Sequence, residues 1–469
     1  MWRGIGLMDL NGKKTLVLGA GKSGVAAARF LVKHGAIVAL HDKKPLDDWS
    51  EDAKALKQDY KVGLIDGQIP SWLLDQIDLV IISPGVPTSS IPARYVDRKG
   101  GEVIGEIELA YRFLKGKVIG ITGTNGKTTT TTLIGEILKR AGLKVQVAGN
   151  IGLPLIEVVE TADDDTWNVV ELSSFQLETI KLFHPNIAIV LNVTPNHLDR
   201  YNFFSDYAAA KHRIFMNQTG EDIAILNVDN EVTSSWVHGL KARVVLFSTK
   251  RELQEGFFLR DGTIFFRDGV RERLITTRDR ILLKGLHNVE NILAAVAATT
   301  FCGVDIEVMR EVLSQFAGVE HRLEFVTSIN GVRFYNDSKA TSVDATLKAI
   351  EALSDEKGKI ILILGGRGKN APYKPLIPSI ERLVRALVLI GEEADRIESE
   401  LKGNAQIFKA TSMRDAVEKA FQAAQHDDLV LLSPACSSFD MFESFEHRGK
   451  VFKEAVLTLK QELSSELFK

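Results

Sequence analysis

Short apolar runs alternate with longer helical patterns along the whole chain. Seven runs are largely apolar over four or five residues instead of alternating with polar positions: 15–18, 37–40, 79–82, 117–121, 187–190, 360–364 and 429–432. Strands that are covered on both faces have this pattern, and the helices between them imply parallel sheets. The pattern therefore predicts an α/β fold.

Three of these strands run directly into a glycine-containing turn, at residues 18–24, 121–128 and 364–369. The length of 469 residues, at roughly 150 residues per domain, also suggests three domains. We expect boundaries near Lys115 and Val319, which gives domains over residues 1–115, 116–319 and 320–469. Residues 257–280 alternate short β-like runs with Asp-Gly turns, so we expect an antiparallel insertion in the middle domain.

The composition argues against several classes of protein. The 58 basic and 61 acidic residues give a net charge of -3, unlike a general binder of nucleic acid or anionic membranes. Two cysteines, Cys302 and Cys436, exclude a disulfide framework and a cysteine-built zinc site, and they fit a reducing cytoplasm. Residues 1–10 lack the apolar core of a signal peptide, and the apolar stretch 292–304 is too short to cross a bilayer. We therefore expect a cytoplasmic protein without membrane insertion.

The strongest chemical signal is the sequence GTNGKTT at residues 123–129, between a strand-like run and a helical pattern that ends at Arg140. Glycines let backbone N–H groups turn toward phosphate oxygens, and the helix N-terminus adds positive potential. Lys127 would reach the β- and γ-phosphates of a nucleotide, and the Thr128 hydroxyl would bind Mg²⁺. Ile121 stands where the usual motif begins with glycine, so only its GxxGK[ST] core is present. The alternative is an ordinary turn between a strand and a helix.

A second glycine loop, GAGKSG at residues 19–24, matches the GxGxxG pattern of dinucleotide-binding proteins. Asp42 ends the next predicted strand, 18 residues after Gly24, where an acid can bind a ribose hydroxyl. The adjacent Lys43 and Lys44 are unusual for an NAD site. We therefore expect a nucleotide here, with NAD less favoured, and tight helix–strand packing without a ligand is the alternative.

Polar residues also follow other predicted strands, where ligands bind in parallel sheets. Glu171 ends one run and is placed to hold Mg²⁺, although it could instead cap the next helix. His197 follows another run and suits a metal or a substrate, although a single histidine is often structural. In the last third of the chain, strands are flanked by residues 321–322, 336–341, Lys369 and 433–438. These groups can cap helices or hold a carboxylate or phosphate, and spacing does not separate the two interpretations.

Together these motifs resemble the Mur ligase family over essentially the whole chain. The resemblance rests on GTNGKTT at 123–129, ELSSFQLE at 171–178, NVTPNHLDRY at 192–201, HNVEN at 287–291, NDSKATS at 336–342 and SPACSSFDMFESFEHRG at 433–449. The DSKAT string at 337–341 resembles the D-glutamate-adding branch. The resemblance implies an N-terminal Rossmann-like domain for a UDP substrate, a central phosphate-loop ATPase with a mainly parallel sheet, and a C-terminal Rossmann-like domain that brings the amino acid.

The activity that the resemblance implies is an ATP-dependent amide ligase. It would add D-glutamate to UDP-N-acetylmuramoyl-L-alanine through an acyl phosphate, releasing ADP and phosphate, in a cytoplasmic step of peptidoglycan precursor synthesis. ATP and Mg²⁺ would be its cofactors, and we expect a monomer. The alternatives are a sibling Mur or folylpolyglutamate-type ligase with another amino acid, a non-catalytic nucleotide switch, and an NAD-dependent dehydrogenase.

The resemblance also implies roles for individual residues. Lys127, His197 and Lys211 would be catalytic, with Lys211 carbamylated, and Mg²⁺ would be held by Thr128, Glu171, His197 and Lys211. ATP would be bound by Gly123, Thr124, Asn125, Gly126, Lys127, Thr128, Thr129, Asn288, Asn291, Arg322 and Asp337. The UDP substrate would be bound by Lys22, Ser23, Asp42, Lys43, Lys44, Ser83, Gly85, Asn150 and Ser173. D-glutamate would be bound by Lys339, Thr341, Lys369, Ser438 and Phe445.

Two positions depart from the family pattern. Arg367 and Asn196 stand where the family often has an acid, shortly before Lys369 and His197. Neither change removes a predicted ligand, but Arg367 adds positive charge near the predicted amino-acid site. Taken alone, the helical pattern around Lys211 would indicate a solvated surface lysine, and only the resemblance gives this residue a role.

Overall fold

The computed structural model describes residues 8–88, 102–196, 200–283, 285–354, 356–368 and 371–466. In this part of the chain there are three β-sheets of five, nine and six strands. The five- and nine-stranded sheets lie in one compact unit, formed by Met1–Ile281 and Asn288–Ser314. The six-stranded sheet lies in a second unit, formed by Leu282–His287 and Gln315–Lys469. Each of the seven apolar runs lies in a strand, so the predicted α/β fold is confirmed.

The first sheet is parallel throughout and has the order β3-β2-β1-β4-β5. Its strands are β1 (Lys14–Leu18), β2 (Ile37–Asp42), β3 (Gly63–Asp66), β4 (Leu79–Ile82) and β5 (Glu102–Gly105). Its helices are α1 (Lys22–Lys33), α2 (Glu51–Asp59) and α3 (Ser71–Leu74). The strand order reverses between β1 and β4, and such a reversal opens a crevice at the carboxyl ends of the strands.

The second sheet has the order β14-β13-β12-β11-β10-β9-β6-β8-β7. Its strands are β6 (Lys117–Thr122), β7 (Val145–Gly149), β8 (Trp167–Glu171), β9 (Ile187–Val190), β10 (Ile223–Asn227), β11 (Arg243–Ser248), β12 (Glu255–Arg260), β13 (Thr263–Asp268) and β14 (Glu272–Thr277). Pairing is parallel from β7 to β12 and antiparallel between β12, β13 and β14. The antiparallel insertion predicted at 257–280 is therefore confirmed.

The helices of this region begin with α4 and end with α11. They are α4 (Glu106–Tyr111), α5 (Lys127–Arg140), α6 (Leu155–Val158), α7 (Ser174–Leu177), α8 (Phe204–His212), α9 (Glu231–Ser235), α10 (Leu286–Phe301) and α11 (Ile306–Gln315). One buried apolar cluster contains side chains of both sheets, among them Val17 and Leu40 from the first and Val118 and Val170 from the second. The first two sheets therefore share a continuous core.

The third sheet has the order β15-β16-β20-β17-β18-β19, with only its edge strand β15 antiparallel. Its strands are β15 (Glu324–Ile329), β16 (Val332–Asn336), β17 (Ile360–Gly365), β18 (Val384–Ile390), β19 (Gln406–Ala410) and β20 (Leu429–Leu432). Its helices are α12 (Val343–Ala352), α13 (Ile377–Leu383), α14 (Ala394–Leu401), α15 (Met413–Ala423) and α16 (Phe445–Glu466).

Strand β17 illustrates why the predicted runs are continuously apolar. Leu362 and Leu364 pack into the core beneath α12–α14, whereas Ile361 and Ile363 pack into the core beneath α15 and α16. Successive side chains of a strand point to opposite faces, so a sheet covered on both sides needs an apolar residue at every position. Within the described residues, no helix combines the length and the apolar composition that crossing a bilayer requires.

Candidate functional site

The phosphate loop joins the end of β6 to the start of α5. Gly123 and Gly126 have φ angles of 151° and 84°, a backbone region that side chains other than glycine rarely adopt. A Cβ added to Gly126 would lie 2.0 Å from Asn291 Oδ1, so the loop backbone passes close to that amide. Asn291 Nδ2 donates to Asn288 Oδ1 at 3.0 Å, and both residues are buried. The structure thus brings Asn288 and Asn291 to the phosphate loop.

Neighbouring chain segments hold the loop in this shape. The Thr124 N–H donates to Asn192 O at 2.9 Å, and the Asn125 N–H donates to Asn192 Oδ1 at 2.9 Å. The Thr124 hydroxyl donates to Thr194 O at 3.2 Å and lies 3.1 Å from Tyr207 Oη. Asn192 and Tyr207 were not singled out from the sequence, although both lie in or beside segments that were. Their contacts explain why an unusual glycine spacing still forms a phosphate-type loop.

Lys127 and Thr128 occupy the first turn of α5. Lys127 Nζ donates to the carbonyls of Gly123 and Thr124, both at 3.0 Å, so its ammonium group lies against the loop. Thr129, half-buried, follows in the same turn. Helix α5 is 14 residues long, and its N-terminus adds positive potential next to this ammonium. The loop therefore combines backbone N–H groups with a lysine where an anion would bind.

Glu171 ends β8 and faces Thr128. Thr128 Oγ1 donates to Glu171 Oε2 at 2.8 Å, and Asn150 Nδ2 donates to Glu171 Oε1 at 2.9 Å. The helix-cap alternative for Glu171 is wrong, because Ser173 caps α7 through a reciprocal capping box with Gln176. A hydroxyl and a carboxylate are hard oxygen donors of the kind that Mg²⁺ prefers. The donor set at this position thus fits the predicted metal.

Lys211 is buried beside the same loop. Its side chain is 1% exposed, and Nζ donates to Gly123 O at 2.8 Å and lies 4.7 Å from the Tyr207 ring centre. Burial lowers the pKa of Lys211 well below its ordinary value, and the charge of Lys127 lowers it further, against the attraction of Glu171. The interpretation as a solvated surface lysine is therefore wrong. His197, the remaining predicted metal ligand, lies outside the described residues.

A cavity of about 1290 Å³ opens at the carboxyl ends of β1, β2 and β4. Its wall includes eight of the nine predicted UDP-substrate residues, namely Lys22, Ser23, Asp42, Lys43, Lys44, Ser83, Gly85 and Asn150. Ser173 lies outside that wall and caps α7. The cavity lies where the strand order reverses, as ligand sites do in open parallel sheets. Its position and its volume suit a nucleotide-sized ligand.

Asp42 organises the floor of this cavity. Asp42 Oδ2 accepts the Ala20 N–H of the glycine loop at 2.9 Å, and Oδ1 accepts the Lys44 N–H at 3.1 Å. Burial alone would raise the pKa of Asp42, but these two hydrogen bonds and the charge of Lys44 lower it on balance. Lys22 Nζ donates to Gly152 O at 2.7 Å, which ties the glycine loop to the segment after β7.

The polar residues of the third sheet surround the ends of β16 and β20. Asp337 Oδ1 accepts the Leu323 N–H at 3.1 Å, and Oδ2 accepts the Ser433 hydroxyl at 2.9 Å. Burial raises the pKa of Asp337 to about 7. Arg322, also predicted to bind ATP, is exposed and follows the buried His321, whose Nδ1 lies 2.9 Å from Asn336 Nδ2. Arg322 and Asp337 thus lie in the second unit.

Arg448 joins segments that carry predicted amino-acid residues. It is 2% exposed, and its guanidinium donates to Ser338 Oγ at 3.0 Å, Ser338 O at 2.8 Å and Cys436 O at 3.1 Å. It therefore joins the turn after β16, the segment after β20 and helix α16. The sequence analysis did not identify Arg448 as a functional residue. An arginine on the inner face of a predicted helix is the pattern that could have indicated it.

Four of the five predicted D-glutamate residues are described, and they lie in or next to the segments that Arg448 contacts. Lys339 Nζ lies 3.8 Å from the Phe445 ring centre, and the Thr341 N–H donates to Lys339 O at 2.8 Å. Ser438 is buried at the end of the segment that Arg448 holds. Lys369 lies outside the described residues. Arg367, the charged departure from the family pattern, forms two hydrogen bonds to Glu392, at 2.9 and 3.1 Å, so its added charge has a neighbouring acid.

A phosphate loop, a facing acid and a nucleotide-sized cavity define a nucleotide-dependent enzyme of the α/β class. Family models match the Mur ligase MurD-like N-terminal domain at 13–105, the Mur ligase middle domain at 121–299 and the Mur ligase glutamate ligase domain at 321–436. The UDP-N-acetylmuramoylalanine–D-glutamate ligases of Koribacter versatilis and Acidobacterium capsulatum are both 48% identical to this chain. Each match covers 96% of this chain, with 98% and 97% of the respective relative. The chain belongs to the Mur ligase family.

Solved structures with the same fold are more distant in sequence. The chain is similar to a pseudomurein peptide ligase type C from Methanothermus fervidus, with a TM-score of 0.55, 20% identity and coverage of 96% of this chain and 100% of that one. It is also similar to the UDP-N-acetylmuramate-alanine ligase MurC from Thermotoga maritima, with a TM-score of 0.57, 18% identity and coverage of 95% and 100%. The comparisons favour the ligase over the dehydrogenase alternative.

Proposed function

We propose that this chain is an ATP-dependent ligase that joins D-glutamate to UDP-N-acetylmuramoyl-L-alanine, in the cytoplasm, as a step of peptidoglycan precursor synthesis. The observation that carries the proposal is full-length identity of 44–48% to relatives named UDP-N-acetylmuramoylalanine–D-glutamate ligase. We assign the UDP substrate to residues 1–115, ATP to 116–319 and the amino acid to 320–469, in a chain that acts as a monomer.

The chemistry needs ATP because a carboxylate is a poor electrophile. An oxygen of the L-alanine carboxylate attacks the γ-phosphorus of ATP, ADP leaves, and an acyl phosphate forms on the substrate. The neutral amine of D-glutamate then attacks the acyl carbon, and phosphate leaves with the pair of electrons from the broken C–O bond. The nitrogen loses one proton to water as the amide forms. Catalysis of such a transfer is mostly positioning and charge neutralisation.

The residues around the phosphate loop divide this work. Lys127 and the N–H groups of residues 123–129 hold the β- and γ-phosphates, with Asn288 and Asn291 beside the loop. Thr128 and Glu171, whose oxygens lie 2.8 Å apart, would hold one Mg²⁺. When bound, Mg²⁺ supplies positive charge to the transferring phosphoryl group. The family resemblance also assigns Arg322 and Asp337 to ATP binding.

Lys211 would act as a carbamate and, together with His197, would hold a second Mg²⁺. An ammonium group has no lone pair for a cation, whereas a carbamate ends in a carboxylate. Carbamate formation requires a neutral amine, and the burial of Lys211 beside Lys127 favours the neutral form.

Specificity for the amino acid resides in the third sheet. Lys339, Thr341, Lys369, Ser438 and Phe445 are proposed to hold D-glutamate. The Lys339 ammonium above the Phe445 ring supports this assignment, because an exposed cation can bind a carboxylate of the amino acid.

A phosphate-release assay tests the proposed function. The chain is incubated with ATP, Mg²⁺ and UDP-N-acetylmuramoyl-L-alanine, with each member of a panel of D- and L-amino acids in turn, and the product is identified by mass spectrometry. We expect phosphate and a new amide in equal amounts with D-glutamate. Turnover with a different amino acid would indicate the sibling ligase, and phosphate release without an amide would contradict a ligase.

A further inference from the structure

Arg200 contacts two segments of the first unit, the one that follows β4 and the one that contains α7. Its Nη1 donates to Pro84 O at 2.7 Å and its Nη2 to Val86 O at 3.4 Å. Nη2 also lies 3.5 Å from Glu178 Oε2, and the guanidinium lies 3.8 Å from the centre of the Phe175 ring. The side chains of Arg200 and Glu178 are 16% and 19% exposed. The contacts are therefore largely shielded from solvent.

The carbonyls that Arg200 binds belong to the wall of the nucleotide-sized cavity. Residues 83–87, which follow β4, all line that cavity. On the side of the glycine loop, Ser83 Oγ donates to Gly19 O at 3.2 Å, and a Cβ added to Gly19 would lie 2.8 Å from Ser83 Cβ. The wall segment 83–87 is thus held between the glycine loop on one side and Arg200 on the other.

On its other side, Arg200 connects with the phosphate loop through a chain of aromatic rings. Phe175, under the guanidinium, stacks on Tyr201 with 5.8 Å between ring centres. Tyr201 packs edge-on against Tyr207 at 5.4 Å, and Tyr207 Oη lies 3.1 Å from the Thr124 hydroxyl. Contiguous packed side chains therefore run from the substrate cavity to the phosphate loop.

We propose that Arg200 is a positioning residue that fixes the wall segment 83–87 of the substrate cavity relative to the phosphate loop. The inference rests on the proposed function, because it concerns the UDP substrate of that reaction. The reacting carboxylate must lie within attack distance of the γ-phosphate, and a displacement near 1 Å can cost about a hundredfold in rate. Arg200 holds the two sites at one separation.

A guanidinium group can fix the wall segment 83–87 better than an ammonium group can. A planar fork can donate to two carbonyls, pair with an acid and stack on a ring at the same time. Lysine retains the charge but offers one nitrogen, so it can satisfy at most part of this set. Arg200→Lys therefore keeps the charge and loses geometry, and Arg200→Ala loses both.

Arg310 provides a matched control in the same unit. Its guanidinium donates to Ile275 O at 2.6 Å and Leu274 O at 2.8 Å and pairs with Glu307, so it too joins two carbonyls and one acid. The two carbonyls lie on β14, the edge strand of the second sheet, and Glu307 lies on the same helix as Arg310, so all partners are outside the wall of the substrate cavity. Arg310→Lys therefore measures how the loss of a guanidinium group changes stability and kinetics at a site that has no proposed positioning role.

The experiment compares wild type, Arg200→Lys, Arg200→Ala and Arg310→Lys. Calorimetry measures Kd for UDP-N-acetylmuramoyl-L-alanine, steady-state kinetics give KM for each substrate and kcat, and thermal unfolding gives Tm. For Arg200→Lys we expect roughly a tenfold loss of affinity for the UDP substrate and a comparable loss of kcat, with KM for ATP within about twofold of wild type. Arg200→Ala should lose more, and Arg310→Lys should match wild type in all kinetic constants.

Several outcomes would overturn the inference. The first is an Arg200→Lys variant with wild-type kinetics. The second is an Arg200→Lys variant with a lower Tm but unchanged affinity for the UDP substrate, because that result indicates a purely structural arginine. If Arg200→Ala fails to fold, Arg200→Lys decides. A wild type that binds the UDP substrate but forms no amide overturns the proposed function alone, since the calorimetric comparison still tests Arg200. A wild type that binds no UDP substrate overturns both.

Discussion

At the scale of single residues, two lysines share one acceptor. Lys127 Nζ and Lys211 Nζ both donate to Gly123 O, at 3.0 and 2.8 Å. Two ammonium groups on one carbonyl repel each other, and the more buried of them gives up its charge more readily. Lys211 is that residue, because its own burial and the charge of Lys127 both lower its pKa. This difference supports the proposal that Lys127 binds phosphate as a cation while Lys211 reacts as a neutral amine.

Replacement of Lys127 tests the first of these roles. We expect Lys127→Ala to fold normally and to lose activity by on the order of a thousandfold, because a charge that neutralises the transferring phosphoryl group is removed. Lys139→Ala, an exposed lysine on the same helix, is the control and should be fully active. Near-normal turnover in folded Lys127→Ala would remove the phosphate loop from the mechanism.

The second role predicts a dependence on carbon dioxide. Activity should fall in carbon-dioxide-free buffer and return with bicarbonate, provided that the carbamate exchanges during the assay. Lys211→Arg should be inactive although it keeps a positive charge, because a guanidinium does not form the carbamate. Lys241→Arg, an exposed lysine, is the matched control. Full activity of Lys211→Arg, or an unmodified amine in a metal-bound crystal structure, contradicts this prediction.

At the scale of elements, many candidate residues follow the ends of parallel strands, and a buried acid is bonded to one of the short helices of the first unit. Glu106, at the start of α4, is 2% exposed, and its Oε1 accepts the Ile156 N–H of α6 at 2.7 Å. Its Oε2 has no hydrogen-bond partner among the described residues. Burial raises the pKa of Glu106 to about 7, and the nearby Glu157 adds to the shift. The short helix α6 therefore rests on an acid that prefers to be protonated.

This arrangement predicts a pH-dependent stability. The unfolded chain releases the Glu106 proton near the ordinary glutamate pKa of 4.5, whereas the folded chain retains it up to about 7. The folded state binds more protons in that window, so its stability falls as the pH rises from about 4.5 to about 7. Glu106→Gln should reduce this fall by on the order of 2 kcal/mol, measured by urea unfolding at about pH 5 and about pH 8. Equal pH dependence in the two proteins would contradict the prediction.

The first sheet gives a further prediction at this scale, namely that its cavity binds UDP in preference to NAD. Lys43 and Lys44 place two positive charges beside Asp42 in the cavity wall, an unfavourable setting for Asp42 to bind an NAD ribose. Calorimetry of the full-length chain with UDP and with NAD measures the preference. Tighter binding of NAD would restore the dehydrogenase interpretation of the glycine loop.

Local patterns were enough to predict many of the elements. The runs at 79–82, 187–190 and 429–432 coincide with β4, β9 and β20, because strands covered on both faces are apolar at every position. The helix predicted to end at Arg140 does so. Asp42 was predicted to bind a ribose hydroxyl, but in the structure its oxygens accept the backbone N–H groups of Ala20 and Lys44. Such contacts depend on loop conformations that the sequence pattern does not specify.

At the scale of the whole molecule, each of the three sheets carries candidate residues at the carboxyl ends of its strands. Within each unit, some residues that hold the segments after these strands are far from them in sequence, so local sequence patterns do not identify them. Arg200 reaches Pro84 across 116 positions, and Arg448 reaches Ser338 across 110. Periodicity and motif spacing report neighbours within one element, whereas these contacts exist only after the sheets have formed. The roles assigned to the candidate residues and the domain boundaries near Lys115 and Val319 stay predictions.

The central claim is that one oxygen of the substrate carboxylate passes to phosphate during amide formation. UDP-N-acetylmuramoyl-L-alanine labelled with oxygen-18 in its carboxylate, incubated with the chain, ATP, Mg²⁺ and D-glutamate, tests this directly. We expect one labelled oxygen in each phosphate released and one retained in the amide, both read by mass spectrometry. Unlabelled phosphate accompanying the amide, or phosphate release that does not require D-glutamate, would contradict it.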